Sequence, residues 1–420
     1  MPTRRRFLQS AAPLILGSGV LASKSSLGAN GKVRLACIGL GGMGTGNLKA
    51  FLNDERVQVV ALCDVDKQHL AAAAKIAAVK DGDTYNDYRE VLARTDVDII
   101  MNATPDHWHS HIILEAIAAG KDLYSEKPLA ASIGEGRSVC DAIAKSKRIL
   151  QCGTWRRSGL KVRIACEIVR NGGIGELKEI EVGVPGKFAI RGGFTGLEAE
   201  QQVPPHLDYK RWLGSAPAKP YTQARCHFNF RWCDDYAPGY ITDWGAHFLD
   251  VAQWGAGMDD TTPTEIEASR ITRRDKGIYD APESFHIEYK YANGVKVVMT
   301  STTDTSKWGT RFIGTDGWVF TENQKLEASD PKILRERPKD GIKLFESRDH
   351  HKNFVDAVLS RGQVAAPAEA AHRAASFCHL GAISAKLGRP IKFDPKQEAF
   401  PGDPEATALI TRQQREGWNA

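Results

Sequence analysis

No Cys-x-x-Cys pair occurs among the eight cysteines of this 420-residue chain, which argues against a zinc ribbon or a thioredoxin-type motif. Cys37 and Cys63 fall in apolar runs with the character of core strands, where a free thiol is simply a small apolar side chain. Cys140, Cys152, Cys166, Cys226, Cys233 and Cys378 are isolated, and their spacing leaves disulfides open. Strong charge of one sign is missing too. The net charge is +5, and Arg4, Arg5, Arg6 and Lys24 account for most of it. Without them the chain is nearly neutral, so neither nucleic acid nor an anionic membrane is expected as a partner. The apolar stretch 11–22 is too short to span a bilayer, so membrane insertion is not expected.

Acidic residues are absent before residue 30. Thr3-Arg4-Arg5-Arg6-Phe7-Leu8-Gln9 resembles the twin-arginine export consensus, and small residues across 22–29 offer cleavage sites. Residues 1–29 therefore read as an export signal outside the fold. No cysteine follows the apolar stretch to carry a lipid anchor. An exported, periplasmic protein is the expectation.

What is present is concentrated between residues 33 and 64. The run 33–38 has the length and β-branched content of a buried strand. Gly39-Leu40-Gly41-Gly42-Met43-Gly44 follows at once and fits G-x-G-x-x-G. A helix-compatible segment over 43–52 and a second apolar run over 57–63 end at Asp64. In such a turn Gly39 permits the tight bend, Gly41 lets a pyrophosphate approach the backbone, and Gly44 lets helix and strand pack closely. Free N–H groups at the helix start hold the phosphates, with Gly42 and Met43 beside them. Asp64 stands where an acid binds both ribose hydroxyls and repels a 2′-phosphate, which favours NAD over NADP.

From 67 to 153 helix-compatible and apolar strand segments alternate, as in a doubly wound parallel sheet. Thr104-Pro105-Asp106 and Glu126-Lys127-Pro128 end two of the strands, where ligands sit in such sheets. The glycine turn, Thr104-Pro105 with His109, and Glu126-Lys127-Pro128 together resemble the glucose–fructose oxidoreductase/inositol dehydrogenase/MocA family, over residues 31 to about 390. The resemblance implies that Lys127 lies near the nicotinamide and the reacting hydroxyl. An ammonium there stabilises a developing alkoxide. It also implies cofactor contacts from Thr104, Pro105, His109 and Glu126. The family often has Asn where this chain has Asp106. His107-Trp108-His109-Ser110-His111 opens a helix, where alternate residues diverge, and no nearby acid or cysteine completes a ligand set. No metal centre is expected.

After 154 the pattern changes. Residues 185–240 are rich in Pro, Gly and aromatics, including Tyr209, Trp212, Tyr221, Phe228, Phe230, Trp232 and Tyr236. Aromatics with interspersed Arg and Asn suit the apolar faces and hydroxyls of a sugar, and equally suit packing of the loop on its own domain. Asp243 and His247 are four residues apart in a helical pattern and so share a face. They match the family's Asp-x-x-x-His pair. A histidine there accepts a hydroxyl proton and the aspartate orients the substrate. Arg156, His227, Arg231 and Tyr240 are further candidate substrate contacts. Strands over 265–272, 285–291, 295–302, 310–315 and 318–321 follow without helices between them, with hairpin turns at Asn293-Gly294 and Asp316-Gly317, and imply an antiparallel sheet.

The expectation is a signal segment over 1–29, an α/β Rossmann domain over 30–153, an α+β domain with a large, mostly antiparallel sheet over 154–367, and a C-terminal helix returning to the first domain over 368–420. The resemblance implies a homo-oligomer formed through that sheet. The function expected is an exported oxidoreductase with tightly bound NAD, acting on a sugar or cyclitol hydroxyl. The twin-arginine route carries folded proteins, and no free NAD pool is expected outside, so the cofactor must be retained and its redox state restored. A glycosidase using transient oxidation is the alternative, and a non-catalytic sugar-binding module is a third reading.

Overall fold

The computed structural model describes residues 31–335, 340–416 and 418. The expected signal segment lies outside the described residues.

The alternating pattern folds as a parallel sheet with helical crossovers. Its strands are β1 (Val33–Ile38), β2 (Val57–Cys63), β3 (Thr84–Tyr85), β4 (Ile99–Asn102), β5 (Asp122–Ser125) and β6 (Leu150–Cys152), in the order β3-β2-β1-β4-β5-β6. The helices between them are α1 (Gly42–Leu52), α2 (Lys67–Ala77), α3 (Tyr88–Leu92), α4 (Asp106–Ala118) and α5 (Ile133–Ser146). Short polar side chains start several of these helices. Asp66 accepts from Gln68 N to cap α2, and Ser132 accepts from Glu135 N to cap α5. The strand order reverses between β1 and β4, so a crevice opens beyond their carboxyl ends.

Helix α6 (Leu160–Arg170) leads into the second sheet. It comprises β7 (Leu177–Pro185), β8 (Glu265–Thr272), β9 (Ser284–Lys290), β10 (Lys296–Thr302), β11 (Gly309–Gly314), β12 (Gly317–Glu322), β13 (Lys325–Ala328) and β14 (Ile391–Lys392). Its order is β13-β12-β11-β7-β10-β9-β8-β14. Every pairing is antiparallel except β7 with β10, because β7 enters first and is later flanked by β10 and β11. Between β7 and β8 lie α7 (Tyr209–Leu213), α8 (Tyr240–Asp243) and α9 (Gly245–Ala256). Phe248 and Leu249 of α9 join Val182, Met299 and Phe312 in one apolar core beneath the sheet.

After the sheet come α10 (Pro331–Arg335), α11 (His350–Ser360), α12 (Ala368–Leu387) and α13 (Pro404–Ala408). Phe354, Val355 and Val358 of α11 pack with Leu35, Phe51 and Tyr124, on the Rossmann sheet. Helix α12 lies against both α5 and α9 and so joins the two sheets. The segment after Pro390, unreadable as sequence, supplies edge strand β14 and buries Phe393, Phe400 and Ala406. Two-residue strands carry no periodicity, which is why none was visible there.

Candidate active site

The crevice beyond β1 and β4 continues beneath the loops of the second domain as one cavity of about 1530 Å³. The glycine turn forms one end. Gly39 has φ +81°, and a Cβ there would lie 2.7 Å from Ala103 C. A Cβ on Gly44 would lie 1.8 Å from Gly39 O. These two glycines let α1 start tight against the sheet. Gly41 and Gly42 face outward, with nothing within 4 Å of a Cβ on Gly42 and only the His69 ring near one on Gly41. No side chain caps α1, and Gly41, Gly42 and Met43 at its start line the cavity. That is the cradle a dinucleotide phosphate fills, and the residues present fit NAD. Met43 lies 47% exposed on the same rim. Asp64 is fixed at the end of β2, its two oxygens accepting from Leu40 N at 2.6 Å and Asp66 N at 2.8 Å.

The strand-end loops of β4 and β5 are locked together. His109 bridges them, with Nδ1 2.6 Å from Pro128 O and Nε2 2.8 Å from Thr104 O. Glu126 is buried and accepts from Asn47 Nδ2 at 2.9 Å. Thr104 donates to Asn102 Oδ1 at 2.8 Å, and Pro105 precedes the first turn of α4. His107 and Trp108 reach Trp212 O, and His111 reaches Ser215 Oγ. The histidine-rich run therefore packs the first domain against the second.

Lys127 projects from this locked loop. Its Nζ donates to Asp243 Oδ1 at 2.6 Å and to Asp243 O at 2.8 Å. Arg231 Nε adds a bond to the same carboxylate at 3.1 Å. Burial opposes ionisation of Asp243, but Lys127 and Arg231 outweigh it and hold the carboxyl well below the usual range. His247 lines the same cavity. Burial, reinforced by the charges of Lys127 and Arg156, holds its imidazole well below its ordinary pKa, so it is a neutral base at pH 7. Its Nδ1 is buried and has no hydrogen-bond partner among the described residues. Burial raises the Asp106 carboxyl, which shares the cavity.

One expectation needs correction. Asp243 and His247 do not share a continuous helix. Asp243 ends α8, Trp244 breaks the run, and His247 lies in the first turn of α9. The break falls beside Gly245, where a Cβ would come within 3.0 Å of Met299 Cε. The pair still faces one cavity because α8 and α9 pack on the same core.

Arg156, His227, Arg231 and Tyr240 all line the cavity. Arg156 is buried, paired with Glu322 at 3.1 Å, and lies over the Trp155 and Phe248 rings. Tyr240 accepts from Ala189 N at 3.1 Å. Burial and the neighbouring His69 hold the His227 imidazole below its ordinary range. The aromatic loop divides between its two readings. Tyr209, Tyr221, Trp232 and Tyr236 are core, Phe228 faces the cavity, and Trp212 and Phe230 are buried in the core and also line the cavity. Sequence reasoning missed Trp155 and Trp308, which line the Lys127 end. Trp155 adjoins a strand end and was legible in principle. Trp308 stands in the β10–β11 connection with nothing to mark it.

A glycine turn for a dinucleotide at one end, and a lysine, an aspartate and a neutral histidine at the other, define a nicotinamide-dependent oxidoreductase of the two-domain class. Comparison with known proteins agrees. Residues 33–154 match the family described as "Oxidoreductase family, NAD-binding Rossmann fold", and residues 158–420 match "Oxidoreductase family, C-terminal alpha/beta domain". The chain belongs to the Gfo/Idh/MocA oxidoreductase family. Among curated relatives, a glycosyl hydrolase family 109 protein of Shewanella sp. W3-18-1 is 29% identical over 38% of this chain. Protein 2 of that family from Shewanella sp. ANA-3 is 34% identical over 35% of it. The matches span only about a third of these relatives, 35% and 34% of their lengths. Among solved structures, the WlbA dehydrogenase of Chromobacterium violaceum, in complex with NADH and UDP-GlcNAcA, has a TM-score of 0.66 at 19% identity, covering 87% of this chain and 97% of its own. A levoglucosan dehydrogenase with NADH and levoglucosan has a TM-score of 0.62 at 17% identity, covering 86% and 99%. These likenesses establish a shared fold.

Proposed function

We propose that this protein is an exported oxidoreductase that oxidises a secondary hydroxyl of a sugar, cyclitol or glycoside and keeps its NAD bound throughout. The observation that carries the reading is the placement of Lys127 Nζ, held 2.6 Å from Asp243 Oδ1, in one cavity with His247 and the glycine turn.

Bound NAD supplies a hydride acceptor. The chain's residues handle the proton and the oxygen. His247, neutral and buried, takes the hydroxyl proton as the carbinol C–H bond breaks and the C=O bond forms. The Lys127 ammonium faces the oxygen and stabilises the charge developing there. Asp243 holds Lys127 in place and offers its other oxygen to a neighbouring hydroxyl. Trp155, Trp244 and Trp308 line this end and suit the apolar face of a sugar ring. Enclosure by both domains excludes water and fixes the reacting atoms. The outer face of the eight-stranded sheet, with Glu265, Glu267 and Lys290 exposed, is the surface through which copies of the chain associate in this reading.

The matches to glycosyl hydrolase family 109 proteins support a second reading, in which oxidation is transient, a glycosidic bond is cleaved, and the hydride returns. Incubation of the protein with hexoses, inositols and aryl glycosides, with products identified by mass, separates the two. A ketone product supports the dehydrogenase. Released aglycone with no net oxidation supports the glycosidase. Neither product from any compound, with tight sugar binding, overturns both.

A further inference from the structure

We infer that Asp66, His69 and His227 form a transition-metal site of the zinc class that joins the two domains beside the nucleotide cradle. One carboxylate oxygen and one nitrogen from each histidine lie within 4.8 Å of one another. The shortest pair, His227 Nε2 to Asp66 Oδ2, is 3.2 Å. Two ligands about 2.0–2.1 Å from a tetrahedral ion stand about 3.3 Å apart. His206 Nε2 lies 3.8 Å from the same Asp66 oxygen and is the nearest candidate for a fourth position, which water fills otherwise.

The ligands come from two domains but are held by bonds of their own. Asp66 accepts from Gln68 N through its other oxygen at 2.7 Å, which leaves Oδ2 facing the His206 and His227 rings. Lys67 N donates to His206 O at 2.8 Å, and Asp208 N donates to Val65 O at 2.9 Å. These backbone bonds stitch the second-domain loop to the turn after β2, so the ligand atoms are brought together before any ion arrives. The His227 backbone is left-handed, with φ +56°, a conformation that non-glycine residues seldom adopt. Its ring meets the His69 ring at a centroid distance of 4.6 Å.

The donor set chooses the ion. Two imidazoles with one carboxylate suit zinc and its first-row neighbours, whereas magnesium and calcium prefer all-oxygen sites. The set is separate from Lys127, Asp243 and His247 and is not needed for proton or hydride transfer. Neither the cysteine spacing nor the 107–111 run offers a ligand set in the sequence, which is why no metal is expected from it. Asp66 and His227 are far apart in the chain, and only the fold brings them together.

The test is metal uptake by the protein with its nucleotide bound, purified without a metal-chelating tag, treated with EDTA and desalted. Titration with zinc chloride, followed by calorimetry and elemental analysis, is expected to show one equivalent bound, with magnesium chloride giving none. His227→Ala and His69→Ala are each expected to weaken zinc binding at least tenfold while the circular dichroism spectrum stays unchanged. Zinc is also expected to raise the melting temperature of the wild type and not of either variant. No stoichiometric uptake by the wild type, or equal uptake by both folded variants, overturns the site.

Discussion

Lys127 is a residue whose setting says more than its identity. Its ammonium is held by both the side chain and the backbone of Asp243, and it lies opposite a histidine that burial keeps neutral. Removing a donor aimed at developing charge typically costs about 100-fold or more in kcat. Lys127→Ala is therefore expected to lose turnover on that scale while the nucleotide absorbance of the purified protein is retained. Equal turnover would remove Lys127 from the chemistry. His247 leads to a pH prediction. Its pKa is depressed, so the neutral base persists as pH falls through the ordinary imidazole range. The acid limb of kcat/KM for hydroxyl oxidation is expected below pH 6.5, the unperturbed value. A limb at or above 6.5 would contradict a buried, depressed histidine as the base. Gly44 reports on the cradle. A Cβ there would lie 1.8 Å from Gly39 O, and overpacking of this kind costs about 1–3 kcal/mol. Because the clash is with backbone, Gly44→Ala is expected to lower stability by at least that amount in denaturant melts and to weaken nucleotide retention.

Elements are legible in the sequence where a local pattern fixes them. The strand–glycine–helix run and the hairpins at Asn293-Gly294 and Asp316-Gly317 carry their own turn chemistry, and β9–β10 and β11–β12 form as read. What local pattern did not carry was decided by tertiary packing. The break at Trp244 arises where α9 starts close against Met299 and Cys378. The parallel pairing of β7 with β10 depends on chain order in space. The buried Arg157 between Asp250 and Asp259 was also invisible, since its partners lie far along the chain. Arg157 donates to Asp250 at 2.7 and 2.9 Å and so fixes α9, which carries His247, against the last Rossmann connection. Removing one partner of a buried ion pair leaves the other uncompensated and costs about 3–5 kcal/mol. Arg157→Ala is expected to destabilise the protein by that amount in equilibrium unfolding. A change under 1 kcal/mol would show that α9 is held by its apolar contacts alone.

At the scale of the whole molecule, the two sheets meet over one cavity, and most of the residues expected at the site line it. Both ends of that cavity were readable from motifs. Its roof was not, because Trp308, Asp208 and Lys210 reach it through long-range packing. The roof matters to the export reading. A protein that works away from a nucleotide pool must hold its cofactor, and the backbone bonds from Lys67 to His206 and from Asp208 to Val65 close the second domain over the β2 end of the cradle. The most direct test of the central claim is the absorbance of the bound nicotinamide when the dialysed protein is mixed with hexoses, inositols and aryl glycosides. Nucleotide is expected to survive dialysis, at least one compound to raise the reduced-nicotinamide band in the wild type, and Lys127→Ala to slow that rise about 100-fold or more. Protein that retains NAD yet shows no reduction and no turnover with any of them would contradict it, as would protein that emerges from dialysis empty.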